Sequence, residues 1–161
     1  MLLVEECSPL HPPVRQLIRE LDELMYELYP AECNHPTPVE TMIGGYYFVC
    51  ARDGDTYLGC GAVTACEDGR HCEYAEMKRI FVSPKARGQG VGEKIVGKLE
   101  AYLISQGVDL VKLETGIYQP EAIGLYKKLG YRECGVFGDY LDERHSVFME
   151  KVLGGFFITT T

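Results

Sequence analysis

The chain predicts a mixed α/β fold, with antiparallel strands, at least one parallel pair and covering helices. Two strand-like runs, Tyr46 to Ala51 and Tyr57 to Thr64, flank Arg52-Asp53-Gly54-Asp55, a strong hairpin signal. A strand-like run from Glu76 to Val82 is followed by a glycine-rich turn, a helical pattern and a second strand, Asp109 to Thr115. Strand, helix and strand in that order predict a parallel pair joined by a right-handed crossover. The length of 161 residues fits one domain with a sizeable core, expected over 1–153, with 154–161 as a C-terminal tail.

Taken in order, Leu2 to Glu6 forms a short first strand. Pro12-Pro13 opens a helix from about Val14 to Tyr29, with Leu17, Ile18, Leu21, Leu24, Met25 and Leu28 as its apolar face, and Pro30 ends it. Residues 31–44 carry two prolines and read as loop, with one helical turn near Val39 to Ile43; His35 there is expected to be solvent-exposed. Gly59 and Gly61 in the third strand suggest a bulge or close backbone packing. Glu67-Asp68-Gly69-Arg70 makes a turn into the central strand, where Met77 and Phe81 alternate with Lys78 and Ile80. Ser83-Pro84 stops the pairing, since proline has no N–H to give. Val91, Ile95, Val96, Leu99, Tyr102 and Leu103 then share a helix face that ends near Gly107. Pro120, Glu121 and Gly130 bracket a last helix, and Tyr131 to Phe137 and His145 to Val152 close the chain as an antiparallel pair.

Composition narrows the function. Hydrophobic residues make up 46% and charged residues 25%, the balance of a soluble globular protein, and no apolar run approaches a membrane span. The N-terminal stretch lacks a basic region followed by a long apolar one, so a cytoplasmic protein is expected. Seven cysteines without a Cys-x-x-Cys pair argue for reduced, mostly buried thiols and against a disulfide framework or a metal site. A net charge of −8 argues against nucleic-acid binding.

The informative stretch is Arg87-Gly88-Gln89-Gly90-Val91-Gly92, placed between a strand and a helix N-terminus. Unpaired N–H groups in a first helical turn, with the helix dipole, favour an anion, and glycines let a pyrophosphate approach the backbone. A Walker loop requires Lys and Ser or Thr after its last glycine, but Glu93 and Lys94 follow Gly92. A dinucleotide fingerprint requires Gly-x-Gly-x-x-Gly directly after its strand, whereas here Ser83 to Ala86 intervene and the glycines alternate. Both nucleotide readings fail on spacing.

The stretch does resemble the acetyl-CoA signature of the GNAT superfamily of N-acetyltransferases, Arg/Gln-x-x-Gly-x-Gly/Ala, filled by Arg87, Gly90 and Gly92. A second family motif, Asn-x-x-Ala-x-x-x-Tyr-x-x-x-Gly-Phe/Tyr, is matched in register by Ala122, Tyr126, Gly130 and Tyr131, with Gln119 where Asn is usual. The resemblance covers about residues 2–153. It implies a mixed, mostly antiparallel sheet of six or seven strands with helices on both faces and the parallel pair at the cofactor cleft.

The resemblance also implies roles. Acetyl-CoA would be the donor, held by the 87–92 turn and by the backbone of Ile80, Phe81 and Val82, with Gln119 contributing an amide. Tyr126 occupies the family's general-acid position, and Glu76 stands where many members carry a glutamate base; its alternative is a salt bridge to Lys78 or Arg79. The loop of Phe137, Gly138, Asp139 and Tyr140, together with Tyr46 and Tyr47, would overhang the acceptor. Arg79 and Arg144 are expected as surface ion-pair residues that could instead hold a substrate carboxylate. The expected reaction is direct acetyl transfer in a ternary complex to the primary amine of a small molecule or amino acid, by a chain that could pair as a homodimer. A protein or peptide acetyltransferase and a non-catalytic acyl-CoA sensor are the alternatives.

Overall fold

A computed structural model describes residues 1–33, 38–64, 73–138, 140–142 and 144–154. His35, the turn expected over Glu67 to Arg70, Asp139 and residues 155–161 of the tail lie outside the described residues. The elements run β1 (Leu2–Glu6), α1 (Pro12–Leu28), β2 (Tyr46–Asp53), β3 (Thr56–Thr64), β4 (Ala75–Val82), α2 (Val91–Ser105), β5 (Leu110–Gly116), α3 (Pro120–Lys128), β6 (Arg132–Glu133) and β7 (Ser146–Val152). Short 3-10 turns occupy Ala31–Cys33, Val39–Met42 and Pro84–Ala86. The strands form one seven-stranded sheet in the order β1-β2-β3-β4-β5-β7-β6. Among the described residues only β4 and β5 pair in parallel, and the other neighbours are antiparallel.

Strand alternation separates two cores. In β2, Phe48 and Cys50 turn to α1, where Val14, Leu17, Ile18 and Leu21 are buried, while Val49 and Ala51 turn to α2. Ile95, Val96, Leu99 and Leu103 of α2 and Tyr126 of α3 complete the second core, so helices cover both faces. Gly59 and Gly61 are explained by this layer. A Cβ at 59 would fall 2.9 Å from Ile95 Cδ1, and one at 61 would fall 2.8 Å from Ile95 Cγ2, so glycine lets α2 lie close against β3. No helix among the described residues is long and apolar enough to cross a membrane.

Two expectations need correction. The pairing expected over Tyr131 to Phe137 is confined to Arg132–Glu133, plus one bond from Cys134 N–H to the Phe148 carbonyl. Tyr131 does not extend it, because its backbone N–H donates to the Tyr126 carbonyl at 2.9 Å to close the turn after α3, while its buried ring sends its hydroxyl to Glu100 Oε2 at 2.7 Å. The central strand, expected to alternate without interruption, is broken at Arg79, whose φ of 61° lies in the left-handed region. The β3–β4 register shifts there, so that Cys60 faces Phe81 while Ala62 faces Lys78. As a result Ile80 and Val82 are half-buried against the α2 core, and Phe81 turns to the α1 core.

The feature that positions the site is the divergence of β4 from β5. Their pairing is confined to Ala75–Met77 against Val111–Leu113. Beyond it β5 stays with β7 along its whole length, from Leu110↔Val152 to Gly116↔Ser146. The β5 side of β4 from Lys78 to Val82 therefore opens into a cleft.

Candidate active site

The cleft widens into a cavity of about 730 Å³, within the range of small-molecule sites. Its wall includes Glu76, Lys78, Arg79 and Ile80 of β4, Leu113 to Gly116 of β5, Gln119, Ala122 and Tyr126 of α3, and Tyr140 from the loop before β7. Because Ala75, Met77 and Tyr126 share the α2-side core, alternation puts Glu76 and Lys78 on the opposite face of β4. Glu76 and Tyr126 thus reach one cavity from the two sides of the split sheet.

Tyr126 is 5% exposed and stands edge-on to the Tyr131 ring, 5.6 Å between centroids. Among the described residues no protein group hydrogen-bonds its hydroxyl, which leaves the phenol to the cavity. Burial disfavours the phenolate and pushes the hydroxyl above its ordinary range, so it is protonated at neutral pH.

Glu76 is held more tightly. Its backbone N–H donates to Thr64 Oγ1 at 2.8 Å, and its Oε2 accepts the Tyr140 hydroxyl. Lys78 Nζ lies 3.6 Å from that same oxygen and donates to Tyr140 Oη at 3.2 Å. The Tyr140 ring packs edge-on against Phe137 and Phe148, with the Lys78 ammonium 5.5 Å from its centroid. The ion pair to Lys78 therefore exists, and it coexists with a carboxylate that faces the cavity. Arg79, expected at the surface, is instead buried: its side chain is 8% exposed and pairs with Asp22 of α1. An arginine in a left-handed bulge, anchored to the first helix, fixes where β4 bends away from β5.

The 87–92 turn was expected to hold phosphates, and its geometry suits them. Gly88 and Gly90 have φ of 79° and 77°, and a Cβ at either would meet nothing within 4 Å. Among the described residues no protein acceptor takes the N–H groups of Gly88, Gln89, Gly90, Val91 or Gly92. Arg87 and Gln89 are exposed beside them. An open concave run of unpaired donors at a helix N-terminus fits a pyrophosphate. Val91 and Gly92 differ from the rest in being buried; a Cβ at 92 would fall 2.8 Å from Leu125 Cδ2, so this glycine brings α2 against α3.

The remaining expected residues divide. Gln119 lines the cavity, but its Oε1 accepts the Tyr29 hydroxyl at 3.1 Å, which leaves the amide NH₂ as the group for a ligand. Tyr47 does not reach the cavity. It faces α2 and stacks on Tyr102 with centroids 3.8 Å apart, because adjacent strand residues point to opposite faces. Tyr46 lies on the α1 face beside Met42 and Phe48, outside the main cavity wall.

The sequence marks Tyr29 only as a helix end, yet it is part of the wall. Its extended backbone before Pro30 carries the ring across the cleft mouth, where its hydroxyl also accepts Tyr118 N–H at 3.1 Å. The ring stacks on Tyr118 at 5.4 Å and meets His145 edge-on at 6.3 Å. Gly116 makes this possible, since a Cβ there would overlap the Tyr29 ring. A glycine at a strand end was the available signal of such an approach.

Residues 14–131 match the model of the Acetyltransferase (GNAT) family. An "IAA acetyltransferase" of Azospirillum brasilense is 42% identical over 147 residues, 91% of this chain and 94% of that one. Among solved structures, a candidate acyl-CoA N-acyltransferase from Klebsiella pneumoniae superposes with a TM-score of 0.78 at 32% identity, covering 95% of this chain and 98% of the other. The PaiA N-acetyltransferase of Thermoplasma acidophilum, solved with coenzyme A, superposes with a TM-score of 0.71 at 15% identity, covering 94% and 99%, and shares the fold.

Proposed function

The chain belongs to the GNAT acetyltransferase family, whose acyl donor is acetyl-CoA, and from that premise we propose that it acetylates the primary amine of a small molecule or amino acid by direct attack in a ternary complex. The observation that carries this reading is the cavity between β4 and β5, reached by a carboxylate from one face and a protonated phenol from the other.

The donor supplies an acetyl group activated as a thioester. The unpaired N–H groups of the 87–92 turn, with Arg87, hold its phosphates, and the stretch of β4 from Ile80 to Val82, beyond the end of its pairing with β5, offers backbone groups to its extended arm. The acceptor arrives as an ammonium: with an amine pKa of ~10.4, only about one molecule in a thousand is nucleophilic at neutral pH. Glu76 takes the surplus proton at Oε1, because Tyr140 holds its other oxygen. Tyr126 gives its phenolic proton to the departing sulfur, a role suited to a buried hydroxyl kept protonated.

Release of free CoA thiol, followed with acetyl-CoA and a panel of alkylamines, amino acids and peptides, tests the reading. Amine-dependent thiol release with small acceptors supports it. Release only with peptides, or tight CoA binding without release for any acceptor, would contradict it.

A further inference from the structure

The cavity already contains a primary amine. Lys78 Nζ lies 3.6 Å from Glu76 Oε2, donates to Tyr140 Oη at 3.2 Å and sits 5.5 Å from the Tyr140 ring centroid. A carboxylate, a hydroxyl acceptor and an aromatic face together make an ammonium-binding subsite. In this structure the protein's own ammonium occupies it. The lysine stands on the edge of β4 that loses its β5 partner, and its side chain is mostly shielded, 24% exposed. By contrast Lys85, Lys94 and Lys127 are exposed and do not line the cavity.

Resting on the reading of Glu76 and Tyr126 given above, we infer that Lys78 is an acetylation site modified by the enzyme itself, its ε-amine acting as acceptor when no free amine is present. The amine is tethered beside the base, so the reaction is intramolecular within the donor complex and gains the advantage of proximity.

The step balances with acetyl-CoA as the only co-reactant. The Lys78 ammonium gives one proton to Glu76, which passes it to solvent. Its nitrogen then bonds to the acetyl carbon as the carbon–sulfur bond of the thioester breaks. The sulfur leaves as the thiol with the proton of Tyr126, and the second nitrogen proton restores the phenol. The net products are acetyl-lysine, CoA and one proton. The modified side chain is a neutral amide, so the pairing of Lys78 with Glu76 is lost.

The experiment incubates the whole chain with acetyl-CoA and no added acceptor, then locates acetyl groups by peptide mass spectrometry. Lys78 is expected to gain an acetyl group at a rate independent of protein concentration, about a hundredfold or more above the mean of Lys85, Lys94 and Lys127. Glu76→Gln and Tyr126→Phe are each expected to slow it by about the same factor, with the exposed lysines unchanged. An unmodified Lys78, in protein that still releases CoA thiol with free amines, overturns the inference and leaves the proposed function standing. So does a Lys78 acetylated no faster than the exposed lysines, or equally fast in both variants. Failure of both self-acetylation and amine turnover overturns the inference together with the function on which it rests.

Discussion

Gly116→Ala isolates the contact that closes the cavity wall. Gly116 has no left-handed backbone, so alanine brings no φ penalty, and the nearest atoms it meets all belong to Tyr29. The new Cβ would stand 2.8 Å from Tyr29 Cε1 and closer still to Cζ and Oη, which forces the ring out. Two hydrogen bonds go with it, to Gln119 Oε1 and from Tyr118 N–H, together with the stack on Tyr118. At ~1 kcal/mol for each bond and somewhat less for a stack on a half-exposed ring, the loss is ~2 to 3 kcal/mol. For a chain of this size that lowers Tm by about 5 to 10 °C in a calorimetric scan. Tyr29→Phe keeps the ring and its stack but forfeits the hydroxyl with both bonds, so about two thirds or more of that drop is expected. The cycle completes with Tyr29→Ala: in that background Gly116→Ala should cost almost nothing, since no ring remains to collide with. A full cost persisting without the Tyr29 ring, or a parent-like Tm for Gly116→Ala alone, would refute the assignment of this wall.

Three further outcomes follow from the same geometry. Gly90→Asp costs ~1 kcal/mol for its positive φ but meets no neighbour, so the fold should hold while the added carboxylate abolishes CoA affinity in calorimetry; unchanged affinity would remove the phosphates from this turn. CoA that binds only the native state should add ~2.7 kcal/mol of stability at a hundredfold excess over Kd, seen as a rise in Tm that ATP or NAD does not reproduce. Burial pushes the Cys60 thiol up to about 12, so its contribution is complete below the ordinary thiol range and is lost as pH climbs towards 12; the urea midpoint should fall across that window, and less so in Cys60→Ala.

The strand–turn–helix unit from Glu76 to Ser105 was legible because its signals are local: alternation, a proline stop, paired glycines and a helical apolar face. The second motif was legible for the same reason, and it put Tyr126 at the cavity. What escaped depends on contacts between distant segments. The left-handed Arg79 answers to Asp22, fifty-seven residues earlier, which no pattern around β4 announces. Tyr29 and Gly116 signal each other only once α1 lies across the end of β5. The placement of Tyr47 beside the acceptor is a different kind of error. Tyr46 and Tyr47 are neighbours in one strand, and the two-residue period already forbids both from facing one pocket. The short β6 reflects the Tyr131 N–H closing the turn after α3 on the Tyr126 carbonyl, and the ring of Tyr131 turns inward to Glu100, a contact made across thirty-one residues.

Turnover of Tyr126→Phe bears most directly on the chemistry proposed for the cavity. The substitution removes one hydroxyl that bonds no described protein group and keeps the ring against Tyr131, so folding and CoA affinity should match the parent. If that hydroxyl protonates the departing thiolate, its absence is felt only in the transition state. With any productive amine, kcat should fall ~10²-fold or more while both KM values change little. Parent-like kcat would contradict the account and reduce Tyr126 to a packing residue of α3.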